Sequence, residues 1–240
     1  MTELPEEVCR RPLSDAPVEP LPSGLIPARV RLDGSSACVE PIDPERHAAE
    51  LFAASHGVPG GEALWRYLAY GPWPTVEAFR GWLRECAAAQ DPIFYAIRAR
   101  GAGAACGMAS YLNIVPRNGS IEIGHIWLAP ALQRTRAATE ALFLLMRHAM
   151  DDLRYRRLEW KCNALNEASR RAARRLGFRF EGIFHRHMIV RGRNRDTAWY
   201  SIVAEEWPAV RADIAAWLAD DNFDAAGRQK RALSAIGKPR

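Results

Sequence analysis

The residues best placed to do chemistry lie in the segment WLAPALQRTRAATEA, positions 127–141. A strand pattern ends at Leu128, Pro130 breaks it, and a helical period starts within a few residues. The first turn of an α-helix has N–H groups without intrahelical acceptors and a partial positive charge, so it attracts anions. Here that turn is Gln133-Arg134-Thr135-Arg136-Ala137-Ala138, followed by Thr139. Two arginines, a hydroxyl and small alanines allow a phosphate to approach closely. A second cluster, NEASRRAARRLGF at 166–178, opens on Asn166 as a helix cap and carries Arg170, Arg171, Arg174 and Arg175. His185 and His187 alternate on a strand with no partner motif, so no metal site is assigned to them.

Several elements must position these residues. ARVRLDG (28–34) and ACVEPI (37–42) read as strands joined at Asp33-Gly34. Asp43 before Pro44 starts a helix. Leu64 to Trp73 is dense in aromatics, including Trp65, Tyr67 and Tyr70. Thr75 caps a helix that turns Val76, Phe79, Leu83 and Cys86 to one face. Strands are expected over 92–99, 106–114 and 120–128, with a turn over 101–107 and a hairpin at Asn118-Gly119. The helix after Pro130 has Ala138, Ala141, Leu142, Leu145, Met146 and Ala149 as one buried stripe. A strand at 156–163, a helix from Asn166 ended by Gly177, strands at 180–190 and 196–203, and a helix opened by Pro208 complete the order. The strand–helix–strand unit over 120–163 forces one parallel pair into an otherwise antiparallel sheet, an α/β (α+β) fold.

The chain has 240 residues and a net charge of +5, with much of the excess arginine after residue 146. Apolar content of 48% and charged content of 25% suit a globular protein with a real core. Residues 1–23, rich in proline and acid, read as an extended or disordered arm; 24–207 form the main domain; 208–240 are a last helix and a tail that frays from Asp220. Cys9, Cys38, Cys86, Cys106 and Cys162 form no CxxC pair, which points to a reducing cytoplasm. No signal segment or membrane-spanning stretch is read.

Three motifs in order resemble the GNAT acetyltransferases, and specifically the ribosomal-protein N-acetyltransferase branch. Gln133 and Ala138 match the ends of a pyrophosphate-binding Q/R-x-x-G-x-G/A motif, with Arg136 where the central glycine stands. The following Ala138-Thr139-Glu140-Ala141 resembles that branch's A-T-E-A. Asn166 and Leu176-Gly177-Phe178 resemble the helix on the far side of the cofactor, and IEIGHIWL resembles E-I-G-Y-x-L. The resemblance covers roughly residues 24–207 and implies a mostly antiparallel sheet with a splayed parallel pair. It implies acetyl-CoA as co-substrate, held by Ile126, Trp127, Leu128, Gln133, Arg134, Thr135, Arg136, Ala137, Ala138, Thr139, Asn166, Ser169 and Arg171.

The same resemblance implies Glu122 as base, with His125 as its rival, and Ser169 as acid to the leaving thiolate. Ala173 stands where many relatives have a tyrosine acid. Strand alternation puts Glu122 and His125 on opposite faces unless a bulge intervenes. The implied reaction is direct acetyl transfer to a primary amine: a protein N-terminus, a peptide or a small molecule. The aromatics at 64–73 are expected to divide between core and acceptor pocket. No membrane or nucleic-acid partner is expected, and a monomer or homodimer fits. Two rivals remain: a GNAT-fold protein that holds acyl-CoA without turnover, and a nucleic-acid-binding module using the arginine-rich helix.

Overall fold

The computed structural model describes residues 7–19, 26–101 and 103–236; the expectations for the rest of the arm, for position 102 and for the last four residues lie outside the described residues. Among the described residues, eight strands form one sheet in the order β1-β2-β3-β4-β5-β6-β8-β7. The strands are β1 Leu32–Asp33, β2 Ala37–Pro41, β3 Ile93–Ala99, β4 Ala105–Val115, β5 Ser120–Leu128, β6 Arg157–Asn163, β7 Arg179–Val190 and β8 Arg193–Val203. The helices are α1 Pro44–Ser55, α2 Val76–Ala88, α3 Arg136–Arg147, α4 Glu167–Arg175 and α5 Trp207–Leu218. Only β5 and β6 run parallel; every other neighbouring pair is antiparallel. The expected fold is the observed one.

Local chemistry sets the helix starts as expected. Asp43 accepts from the N–H groups of Glu45 (3.0 Å) and Arg46 (3.2 Å) at the head of α1. Thr75 accepts from Ala78 N–H at 3.2 Å at the head of α2. Each such cap is worth about 1 kcal/mol. Asn166 caps α4, and Gly177 follows it with φ of 90°, a left-handed conformation that favours glycine.

The sheet has two buried faces. On one, Ile93, Tyr95, Tyr111, Ile121, Ile123, Leu158, Trp160 and Tyr200 pack with α3, α4 and α5. On the other, Phe94, Ala96, Met108 and Trp127 pack with α1, α2 and Trp65. These residues alternate along each strand, as a pleat requires, except in β5, where Ile123 and Trp127 lie four residues apart on opposite faces.

Three expectations need correction. Helix α3 is buried on all sides from Ala137 to Met146, not along one stripe. The β1–β2 turn and α5 cover the flank that periodicity assigned to solvent. There the Glu140 carboxylate accepts from the N–H groups of Ser35 (2.9 Å), Ser36 (2.5 Å) and Ala37 (2.7 Å), and from the hydroxyls of Ser35 and Ser36. A side chain at Gly34 would sit 2.5 Å from that carboxyl, which explains the glycine. Second, the first strand is only two residues long, and Gly34–Ser36 turn before β2. Third, the segment after Asp220 does not fray through residue 236. Phe223 bridges to Gln229, Leu233 is buried in the main core, and Asn222 donates to the carbonyl of Trp217 at 2.9 Å.

The arm over residues 7–19 has no helix or strand. It docks on the β7–β8 edge: Cys9 N–H donates to Phe180 C=O at 2.7 Å. Arg11 pairs with Glu181 at 2.5 Å and with Glu206 at 2.7 Å.

Candidate active site

Strands β5 and β6 pair only over Ser120↔Arg157, Ile121↔Leu158 and Glu122↔Glu159. Beyond Glu122 they part, although β5 runs on to Leu128 and β6 to Asn163. Their facing backbone edges there are open to a ligand rather than to each other. A cleft through the sheet results, and its two mouths differ chemically.

The α3/α4 mouth holds the phosphate-type turn. Thr135 caps α3 and accepts from Ala138 N–H at 3.1 Å. Arg134 is exposed with φ of 60°, and Gln133 is exposed with its amide on the Leu128 carbonyl at 3.0 Å. The N–H groups of Arg136 and Ala137 belong to the first turn, which an α-helix leaves unmatched. Arg136 itself is engaged elsewhere: its guanidinium donates to Asp220 at 2.7 Å and to the Leu218 carbonyl, and lies 4.6 Å over the Phe223 ring. Its backbone, not its side chain, is what it presents at the turn. Thr139 is buried and accepts from Arg175 at 3.0 Å. Burial holds the Arg175 guanidinium below the usual arginine range, and it stacks 4.7 Å over Trp217.

Helix α4 brings two predicted residues to the same mouth. The Asn166 carbonyl oxygen caps the helix by accepting from Ser169 N–H at 3.1 Å. The Ser169 hydroxyl accepts from Trp160 Nε1–H at 3.0 Å, so its own proton is free to be donated. Arg171 is not drawn to the cleft: it is exposed and pairs with Glu167 at 2.9 Å, one turn back on its own helix. Arg170 is buried, with contacts to the Tyr200 hydroxyl at 3.1 Å and the Ala164 carbonyl at 2.9 Å.

The opposite mouth holds the acid–base groups. Glu122 is buried; its Oε2 accepts from Asn113 at 2.6 Å and from Lys161 at 3.0 Å. Lys161 also pairs with Glu159 at 3.0 Å and lies 4.0 Å over the Trp199 ring. Burial raises the Glu122 pKa, and Lys161 and Asn113 oppose that rise without cancelling it. A side chain at Gly124 would come 2.8 Å from Leu112 and 3.4 Å from Glu122 Oε1, so glycine keeps the space beside the carboxylate open.

A bulge decides where His125 goes. Ser110 pairs with Gly124 but Met108 pairs with Trp127, so β5 carries one extra residue, and His125 has φ of 51°. The bulge resets the alternation. His125 therefore faces α1 and α2, stacked 5.5 Å from Tyr70 and tilted against Phe94 at 5.0 Å, on the same side as Glu122. Its Nδ1 shares a hydrogen bond with the Tyr70 hydroxyl at 3.2 Å. Burial, helped by the charge of Arg195, lowers its pKa to about 4.

The aromatics of 64–73 pack in and against the α1/α2 core, and some reach the cleft. Trp65 is buried in the core, while Tyr70 meets His125. Tyr67 reaches across to the Leu165 carbonyl at 3.0 Å, linking this wall to the loop before α4. Sequence reasoning missed Asn113, Lys161 and Arg195. No short-range pattern marks them, because each reaches the cleft from a different strand or loop.

Comparison with known proteins agrees with this architecture. The profile of the Acetyltransferase (GNAT) domain family matches residues 38–179. The provisionally named ribosomal N-acetyltransferase YdaF of Bacillus subtilis (strain 168) is 32% identical over 105 residues, 44% of this chain. The match spans only 57% of the length of YdaF. A GCN5-related N-acetyltransferase from Brucella melitensis superposes with a TM-score of 0.86 at 45% identity, covering 88% of this chain and 96% of that one. RimL, a ribosomal L7/L12 alpha-N-protein acetyltransferase in complex with coenzyme A, shares the fold at a TM-score of 0.61 and 22% identity, over 72% of this chain and 98% of its own. A family match over more than half the sequence, on a sheet that opens where that family's resemblance requires, means that this chain belongs to the GNAT acetyltransferase family.

Proposed function

We propose that the protein transfers the acetyl group of acetyl-CoA directly to a primary amine in the cytoplasm, as an N-acetyltransferase of the ribosomal-protein branch. The acceptor is a protein or peptide N-terminus, or a smaller amine. The observation that carries this reading is the parting of β5 and β6 at Glu122, with an anion-binding turn at one mouth and a buried carboxylate at the other.

The α3 turn suits a pyrophosphate: the N–H groups at Arg136 and Ala137, the small Ala137 and Ala138, and exposed Arg134 supply donors and room. The free edge of β5 over Ile126–Leu128 offers backbone N–H groups to polarise a thioester carbonyl. Asn166 and Ser169 line the other side of the same mouth.

The amine arrives protonated, since its ordinary pKa is near 10. A base must take that proton before nitrogen attacks the thioester carbon. Glu122 is the better base. Its carboxylate has an ordinary value of 4.5 and is raised from there by burial, whereas the imidazole of His125 sits at about 4. Lys161 stabilises the ionised form, and Oε1 is left to receive the proton, directly or through water. As the tetrahedral intermediate collapses, the C–S bond breaks and the electron pair goes to sulfur. Ser169 donates its hydroxyl proton to that thiolate and regains one from solvent. Tyr70 orients His125, which shapes the acceptor side.

Incubating the protein with acetyl-CoA and a panel of N-terminal peptides, polyamines and aminoglycosides, with mass-spectrometric detection, tests this. Acetylated product that scales with enzyme is the expected result. Tight acetyl-CoA binding with no acetylated amine would support a binding protein instead.

A further inference from the structure

The acceptor mouth has two buried donors that lack partners among the described residues, one of them cationic. Strand β8 turns Arg195, Thr197 and Trp199 to the Glu122 side of the sheet, two residues apart along the strand. Arg195 Nε is buried and bonds to nothing among the described residues, and no carboxylate pairs with its guanidinium there. Arg195 shares the face of the sheet that carries Glu122 and His125, and its charge helps lower the His125 pKa. Trp199 Nε1 is likewise buried without an acceptor, its ring fixed between Lys161 at 4.0 Å and Phe184 at 4.8 Å.

Among the described residues buried Arg175 meets the Thr139 hydroxyl and the Trp217 ring instead of a carboxylate, and Arg80 and Arg136 also have a buried Nε without a hydrogen-bond partner, but several inward-facing arginines are matched by acids. Arg98 has Glu40 and Glu50, Arg157 has Glu159 and Glu181, and Arg11 has Glu181 and Glu206. Leaving a partly desolvated cation unmatched is costly, so an unmatched one at a substrate mouth marks a ligand group still to come. The surrounding charge agrees. The stretch 185–196 carries Arg186, Arg191, Arg193 and Arg195 against one acid, Asp196. That acid is already bound to Asn194 at 3.0 Å, to the N–H of Arg186 at 2.7 Å, and to His185 at 3.5 Å. Arg191 donates to the carbonyls of Tyr70 and Gly71, which fastens the hairpin over the acceptor wall without neutralising it.

We propose that Arg195 is a specificity-determining residue that binds a carboxylate of the acceptor, so that preferred acceptors are primary amines with a carboxylate close to the reacting nitrogen. The inference rests on the proposed transferase reading. Its ligand is either the acidic side chain of a peptide's first residues or the α-carboxylate of a free amino acid. The Trp199 N–H is placed to donate to an oxygen of the same acceptor.

The test uses the full chain with acetyl-CoA. One arm compares peptides identical except for Asp or Asn, and Glu or Gln, at the second and third positions. The other compares free amino acids with their amides. Binding of each to the CoA-loaded protein is measured in parallel by calorimetry. The carboxylate form is expected to exceed its amide match about tenfold or more in kcat/KM, mainly through KM, in one arm, and that arm identifies the source. In Arg195→Gln the ratio should collapse to about one, Arg195→Lys should keep part of it, and Arg195→Glu should favour peptides with lysine instead. Equal use of carboxylate and amide forms by the wild-type protein in both arms overturns the inference, as does a ratio that survives in Arg195→Gln. If no amine is acetylated, the transferase reading fails separately and calorimetry decides. Carboxylate-dependent binding lost in Arg195→Gln sustains the role of Arg195, and its absence removes it.

Discussion

At the residue scale, Glu122 has divided duties: Oε2 holds Lys161 and Asn113, and Oε1 faces the space kept by Gly124. Glu122→Gln preserves shape and removes proton affinity. The turnover rate should fall about 10²–10⁴-fold, and the residue of activity should climb with pH as free amine becomes available. The wild-type rate should fall as pH drops through the raised pKa of Glu122, because protonation removes the base. A Gln variant with near-normal turnover would transfer the role to His125. Ser169→Ala should lower kcat while leaving acetyl-CoA affinity nearly intact, as read by stopped-flow turnover beside calorimetry. It also leaves Trp160 Nε1 without its acceptor, so a loss of stability of about 1–3 kcal/mol should accompany it. The residue types at this site were legible in the sequence, but their shared face was not. The positive φ that marks a bulge falls on His125, not on a glycine, so IEIGHIWL carries no visible sign of it.

At the element scale, the α3 turn shows what motif reading can and cannot deliver. The break after Leu128 was legible, but the helix starts at Arg136 with Thr135 as its cap, so Gln133 and Arg134 lie before it and not in its first turn as the sequence suggests. The capture of Arg136 by Asp220, 84 residues away, was not legible, because no local pattern encodes a contact of that range. The two arginines should therefore behave differently. Arg134→Glu should weaken acetyl-CoA binding about ten- to a hundredfold by calorimetry. Arg136→Glu should act chiefly on thermal stability, by releasing the 218–223 segment. Equal losses of affinity from the two changes would return Arg136 to the phosphate site. The A-T-E-A motif shows the same limit. Its glutamate lies inside the stretch proposed to bind phosphate, yet Glu140 binds the β1–β2 turn.

At the scale of the whole molecule, the parallel pair was legible from one strand–helix–strand crossover, because topology leaves such a unit little choice, but the placing of β8 rather than β7 beside β6 was not. The docking of the arm and the segment after Asp220 was not, since both are held by isolated side chains rather than periodic patterns. Arg11 is the clearest case, spanning Glu181 and Glu206 from 170 and 195 residues away. Burial pushes the Glu181 pKa up, but hydrogen bonds from Arg157 and Ser201 and the charges of Arg157 and Arg11 bring it to about 2. A carboxylate depressed in the folded state stabilises above its unfolded value and loses that contribution as pH falls. Glu181→Gln should thus be less stable than wild type at neutral pH. The gap should close as pH falls from about 4.5 towards 2. A gap that stays constant in thermal melts across that range would mean packing, not charge, supplies the contribution.

Strands β5 and β6 part beyond Glu122, with α3 and α4 on one face of the sheet and Tyr70 and His125 on the other. Two reactants that enter by opposite doors do not obstruct each other, so the fold imposes no sequence on their arrival. In the proposed reaction either the thioester or the amine is then expected to bind first, and either product to leave first. Kinetically this is a random-order scheme, in which coenzyme A competes with acetyl-CoA alone and the acetylated product competes with the amine alone. A strictly ordered pattern of product inhibition would show that one reactant builds the other's door, and the Tyr67 contact to the Leu165 carbonyl is where that coupling would have to run.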